Sequence, residues 1–150
     1  MSDEVNLFEV ETRQHGYDLE TPYVRVGPLI GASALGATVY VLNEGESVGP
    51  YHYEYGNEEW LLVLEGRPLL RHPEGEVELG RGDVVCFPEG PEGAHKVTNR
   101  QPETVRIAIF STKHEPSIAV YPDSDKIGVW PPGKLFRAGD AVDYWEGETR

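Results

Sequence analysis

The residues of this 150-residue chain best suited to chemistry lie in Gly49-Pro50-Tyr51-His52-Tyr53-Glu54-Tyr55-Gly56-Asn57-Glu58-Glu59-Trp60. In a strand, residues two apart share a face about 6.6 Å from each other, so His52 and Glu54 can aim at one point. A turn at Tyr55-Gly56-Asn57 lets the next strand return a carboxylate to that point. Glu58 and Glu59 are consecutive and face opposite ways, so only one of them can join. His95 and Asn99 flank a later strand that can close the ring. Two imidazoles with carboxylates form a donor set that borderline divalent cations favour.

These residues need short strands to position them, and the chain reads as short strands. Seventeen Gly and 12 Pro interrupt most windows long enough for a helix. Between them lie β-branched and aromatic clusters at Tyr23–Val26, Ala37–Leu42, Val84–Phe87, Lys96–Asn99, Thr104–Phe110 and Ile118–Tyr121. The run Trp60–Leu64 is continuously apolar and predicts a strand covered on both faces. Leu69 to Leu79 reads as a hairpin turning at Pro73-Glu74-Gly75. About nine strands at this spacing predict a sandwich or barrel. The polar residues 1–22 and the Pro, Gly and Asp-rich residues 122–150 read as arms docked on a core of about 23–121, all in one domain.

Composition narrows the partners. Thirteen Lys and Arg against 26 Asp and Glu leave a formal charge of −13, which repels phosphate backbones and anionic membranes. Nucleic acid is therefore excluded as an expected partner. The start, Met-Ser-Asp-Glu-Val-Asn, is acidic where a secretory leader is basic, and no apolar run approaches bilayer length, so the expected location is the cytoplasm. One cysteine, Cys86, excludes an internal disulfide framework and reads as an inert buried thiol.

At His52-x-Glu54, four residues, Glu59, six residues, Gly66, the chain resembles the first motif of the small single-domain cupins. The second motif is matched by Gly82, five residues, Pro88-Glu89-Gly90, then His95, three residues and Asn99. Fifteen residues, 67–81, separate the two, a compact spacing, and the paired motifs form a specific signal. The closing Tyr121-Pro122-Asp123-Ser124 and Asp143-Tyr144-Trp145 segments look like those of a bacterial cupin subgroup that brings no assigned reaction. The resemblance implies an all-β double-stranded β-helix, or jelly-roll barrel. Its mouth would hold a divalent ion (Mn, Fe, Ni or Zn) on His52, Glu54, Glu59 and His95, and two copies would form a homodimer. Two positions depart from the pattern. Glu54 stands where the family has a second His, which either makes a shell of two His and two carboxylates or weakens the site. The gap from Gly90 to His95 is two residues longer than the simplest form and reads as a loop insertion.

Other residues take blander assignments. Asn99 fixes the turn after its strand rather than binding metal, because amides are poor donors to transition metals. Tyr51, Tyr53 and Trp60 lie out of phase with the ligands and serve core or dimer contacts. His72 and His114 are solvated. Arg81-Gly82-Asp83 is a turn into a strand, and the chain has no third glycine for a dinucleotide loop and no Gly-x-Ser-x-Gly elbow. The expected function is binding or conversion of a small organic molecule at the barrel mouth. As an enzyme this would be a metal-dependent isomerase, decarboxylase or lyase, or dioxygenase. The alternative is a non-catalytic binding or sensing module with a weakened or absent metal site. A purely structural barrel would need an apolar, filled interior, which the clustered polar residues oppose.

Overall fold

The computed structural model describes residues 4–13 and 21–149. Within them, twelve strands form two antiparallel sheets. The first sheet orders β1 (Tyr23–Arg25), β2 (Leu35–Leu42), β9 (Val105–Thr112), β4 (Glu59–Glu65) and β7 (Val84–Phe87). The second orders β12 (Lys134–Arg137), β11 (Lys126–Trp130), β10 (Ser117–Tyr121), β3 (Ser47–Tyr55), β8 (His95–Thr98), β5 (Leu69–His72) and β6 (Gly75–Glu78). Alternation sets which side chains meet between them: Leu42, Leu61, Val63, Leu70, Val97, Val105 and Ile107 are all essentially inaccessible. At roughly 1.5–3 kcal/mol for each buried aliphatic side chain, this layer is the main force holding the sheets together. This is the all-β, two-sheet barrel expected. No helix among the described residues is long and apolar enough to cross a membrane.

Three expectations are corrected. Ile118–Tyr121 is not the last strand: β11 and β12 follow it and extend the seven-stranded sheet, so residues 126–137 are sheet rather than arm. Their Gly and Pro content, with lysines at both strand starts, masks a short hairpin whose outermost strand is exposed along its length. The run Trp60–Leu64 is covered on both faces only at its far end. Leu64 packs outward with Val24, Val39 and Ala108 under Val5, Leu7 and Val10 of the N-terminal segment, whereas Trp60 is half exposed. Cys86 is exposed, because Val85 and Phe87 take the inward positions of the edge strand β7 and Cys86 takes an outward one. Partial burial and the Glu58 carboxylate push its thiol up, away from the reactive thiolate.

Residues 4–13 are held on the first sheet: Arg106 on β9 donates from Nε to the Leu7 carbonyl at 2.8 Å and from its terminal nitrogen to that of Val10 at 2.5 Å. The rest of the expected first arm, residues 1–3 and 14–20, lies outside the described residues. Arg81-Gly82-Asp83 is a turn into β7, closed by the Asp83 carboxylate on the Gly80 amide at 2.7 Å.

Asn99 performs the structural task read for it. It is wholly inaccessible, donates from Nδ2 to the carbonyls of Leu42 and Glu103, and accepts the Gln101 amide on Oδ1. It thereby joins the end of β2 to the loop between β8 and β9. Asn99→Ala leaves these backbone groups without partners and should cost at least about 2 kcal/mol. Urea unfolding that gives an unchanged slope and a lowered midpoint would confirm this; an unchanged midpoint would refute it.

Candidate metal centre

The site is assembled across the gap between the sheets. His52 on β3 and His95 on β8 are directly paired across an irregularity in their ladder, and their rings lie 4.7 Å apart between centroids. Glu59 begins β4 in the opposite sheet, where it is paired with Phe87 of β7. Phe87 stacks flat on the His95 ring at 3.7 Å, so two neighbouring inward residues of one sheet supply a carboxylate and a brace for an imidazole of the other. The turn that returns the chain from β3 to β4 requires Gly56: it has φ of +92°, and a Cβ there would lie 2.9 Å from the Pro116 carbonyl.

Both imidazoles are oriented through Nδ1. His52 Nδ1 lies 3.0 Å from the Pro50 carbonyl and His95 Nδ1 lies 2.9 Å from that of Gly93. A carbonyl can only accept, so each Nδ1 carries the hydrogen and each Nε2 presents a lone pair. Both lone-pair atoms face Glu59, whose Oε2 is 3.4 Å from His95 Nε2 and 3.9 Å from His52 Nε2. Ligand atoms bound at about 2.0–2.2 Å to one ion stand roughly 3–3.5 Å apart, so the three donors need to move little to share a cation. One donor atom from each of His52, Glu59 and His95 lies within 4.8 Å of the other two, and Glu54 is outside this group. The two residues added between Gly90 and His95 are not idle. Pro91–Gly93 forms a helical turn tied to β3 by the Gly90 amide on the Glu54 carbonyl, and its last residue supplies the acceptor for His95.

Electrostatics favour a cation. Burial, with Glu54 as a second like charge, pushes the Glu59 carboxyl up to about 8. Burial, and then the charge of His52, brings His95 down to about 4. Burial also lowers His52 and raises Glu54, the latter opposed by a hydrogen bond from Asn57. At neutral pH, without a cation, the close His–Glu contacts are therefore not ion pairs. A divalent ion would make the ionised carboxylate the favoured form and keep the imidazoles neutral, as they already are. Two imidazoles and one carboxylate suit manganese, ferrous iron, nickel or zinc, and leave further coordination positions open.

Other groups join this site that the sequence did not single out. Tyr121, at the end of β10, stacks over His52 at 5.8 Å. Burial and the two carboxylates, Glu54 and Glu59, raise its phenol. Tyr40 on β2 is pushed up to about 12, by burial and then by Glu59. A single tyrosine at a strand end carries no local signal; only the sheet pairing places it here. Glu58 is exposed, as expected, and accepts the Trp60 indole N–H at 2.9 Å. Tyr51 faces away beneath the Arg71 guanidinium, 3.9 Å from its ring centroid, and Tyr53 packs edge-on to Tyr55. His114 is exposed, with Nδ1 3.0 Å from the Gly56 carbonyl, and His72 is half-buried at the end of β5.

Metal binding should release the Glu59 proton wherever that carboxyl is still protonated. Affinity therefore rises about tenfold per pH unit up to about pH 8 and then levels, while His95, already neutral, contributes nothing over that range. Glu54→Gln removes the like charge and moves the levelling point to lower pH. Calorimetric titration with zinc or manganese across neutral pH checks both, and a flat affinity would contradict the assignment of Glu59.

Residues 38–111 match the Cupin_2 family model, described as a cupin domain. Comparison with curated protein sequences gives no match. Among solved structures, a sugar phosphate isomerase of the cupin superfamily from Silicibacter pomeroyi is 22% identical, with a TM-score of 0.80 over 96% of this chain and 98% of that one. A protein from Acidithiobacillus ferrooxidans, provisionally described as a sugar phosphate isomerase, is also 22% identical, with a TM-score of 0.76 over 82% and 80%. The polyketide cyclase RemF from Streptomyces resistomycificus is 24% identical, with a TM-score of 0.60 over 78% and 84%. At these identities the likeness is one of fold. With both sequence motifs in register, two antiparallel sheets and a His–Glu–His cluster between them, the chain belongs to the small cupins.

Proposed function

We propose that His52, Glu59 and His95 hold a divalent cation, and that the chain is an isomerase interconverting a small hydroxy aldehyde and its hydroxy ketone. The observation that carries this reading is the pair of Nδ1–carbonyl hydrogen bonds, which leave two imidazole lone pairs converging on one partly buried carboxylate. A bound ion would polarise the carbonyl oxygen of such a substrate and acidify the adjacent C–H. Glu54 is the group that moves the proton: it lines a cavity that reaches the donor cluster through Tyr121, which stacks on His52, and burial raises its pKa. It takes a proton from the hydroxyl-bearing carbon and returns it to the neighbouring carbonyl carbon, while the proton of that hydroxyl passes to the former carbonyl oxygen, so atoms and charge balance without an oxidant or a second substrate. Tyr121, held protonated beside both carboxylates, can donate a hydrogen bond to the substrate oxygen. The description of two proteins of similar fold as sugar phosphate isomerases agrees with this class of reaction.

A second copy of the chain is proposed to cover the outer face of the five-stranded sheet. There Leu35 is 60% exposed, Val84 56% and Trp60 50%, around a shallow apolar hollow of about 520 Å³ completed by Leu62 and Phe110. This hollow lies on the opposite side of the sheet from Glu59, and an exposed apolar patch of this kind marks an association surface.

Elemental analysis of protein purified without a metal column or chelator should give about one ion per chain in the wild type, with His95→Ala losing more than about nine-tenths of it. Glu54→Gln should keep the ion while slowing deuterium exchange from heavy water into aldose and ketose substrates by at least about 100-fold. Loss of the ion in Glu54→Gln would instead make Glu54 a ligand. Light scattering should give twice the chain mass for the wild type and a single mass for Trp60→Lys combined with Val84→Lys, both with metal content unchanged.

A further inference from the structure

We infer that Trp130 forms the floor of the substrate cavity and that the cavity takes a sugar ring, one C–H face lying on the indole and the hydroxyls turned to the polar wall. The inference deepens the hydroxy-carbonyl reading above and rests on it for the reaction, though not for binding.

The sheet pairing places the pieces. Glu54 on β3 is paired with Ala119 on β10, and Ala119 with Gly128 on β11, so the three form one row across three strands and face the same side. Two strand spacings, roughly 10 Å, separate the ends of that row. Its middle is the small side chain of Ala119, which is nearly inaccessible and borders the cavity. The Trp130 indole lies over Gly128: a Cβ at Gly128 would overlap Cη2 and Cζ3 of the ring. Gly133, in the turn to β12, leaves room beside the other half of the indole, where a Cβ would come within 3.6 Å of Cδ1 and Nε1. The six-membered half of the indole is thus seated against the Gly128 backbone.

Trp130 lines a cavity of about 390 Å³ shared with Glu54, Ser117, Tyr121, Lys113 and His114, a size suited to a small ligand. One flat apolar surface facing several hydroxyl, carboxyl and amine groups matches a molecule with an apolar face and a hydroxylated rim, which is the surface of a pyranose ring. A wholly apolar ligand would desolvate Glu54, Lys113 and Ser117 without offering them hydrogen bonds, and an inorganic anion has no use for the indole. Asn57 keeps the wall in shape: it is buried, accepts the Thr112 hydroxyl and the His114 amide on Oδ1, and so joins the start of β4 to the loop before β10.

The test uses the full chain, labelled with nitrogen-15 and supplied with zinc, titrated with methyl β-glucopyranoside, methyl β-galactopyranoside and methyl β-xylopyranoside. Their blocked anomeric carbons prevent turnover. The chain has three tryptophans, Trp60, Trp130 and Trp145, and loss of one indole signal in Trp130→Phe assigns that of Trp130. At least one glycoside should shift the Trp130 indole signal saturably at millimolar concentration without shifting that of Trp60. Ala119→Val, which fills the middle of the row, should weaken this binding by about tenfold, and the spectrum itself reports whether each variant is folded. No shift at Trp130 with any of the three, or an equal shift at Trp60, overturns the inference. Zinc content measured on the same samples separates the two readings. Zinc bound with no sugar shift removes only the sugar site, and a sugar shift with no zinc bound supports it while removing the metal.

Discussion

The stack of Phe87 on His95 is the contact on which the site depends, because it is where one sheet determines the geometry of the other. Phe87 and Glu59 are paired inward residues of neighbouring strands, β7 and β4, and His95 belongs to the facing sheet. The ring that braces the imidazole and the carboxylate that meets its Nε2 therefore come from the same place. Moving one sheet relative to the other would separate donor and brace together. The aliphatic layer of Leu42, Leu61, Val97 and Ile107 sets the distance between sheets, so core packing and donor geometry are one constraint.

That constraint has an electrostatic consequence. The fold brings Glu59 into a site too dry to ionise it readily and adds Glu54 beside it, while it drives both imidazoles toward neutrality. Each shift alone is the ordinary effect of burial. Together they describe a pocket that holds protons where it could hold a cation, and both Nδ1 atoms are already committed to backbone carbonyls. The cost of gathering these groups is met in folding by apolar burial elsewhere, so the donors are arranged before anything binds.

Much of this was legible in the sequence because local rules suffice for it. His52, Glu59 and His95 sit at motif positions whose spacing encodes strand, turn and strand, and Asn99 could be read as structural from the poor donor chemistry of an amide. Glu54 shares a face with His52 as the two-residue repeat demands, yet it is not part of the convergent trio; alternation states a direction and not a distance. Cys86 was misplaced because an apolar run does not say which alternate residues face inward on an edge strand. Tyr121 and Trp130 were out of reach for a different reason: each owes its position to pairing between strands, and strand order is not written in any one segment. The hairpin β11–β12 was hidden for the same cause, since its glycines and prolines mimic a loop.

That hairpin lies beyond residues 38–111, the part that matches the cupin domain. Trp130, and with it one wall of the cavity, thus comes from outside the matched residues. Because β11 joins the sheet along the edge of β10, its residues can change by substitution, or by replacement of the whole hairpin, without disturbing the ladder between β3 and β8 that bears the histidines. On the reading proposed above, recognition and metal binding would then rest on separable strands. A lineage could exchange what it recognises while its chemistry stays the same, and grafting this hairpin onto a related barrel is a route by which recognition could be transplanted.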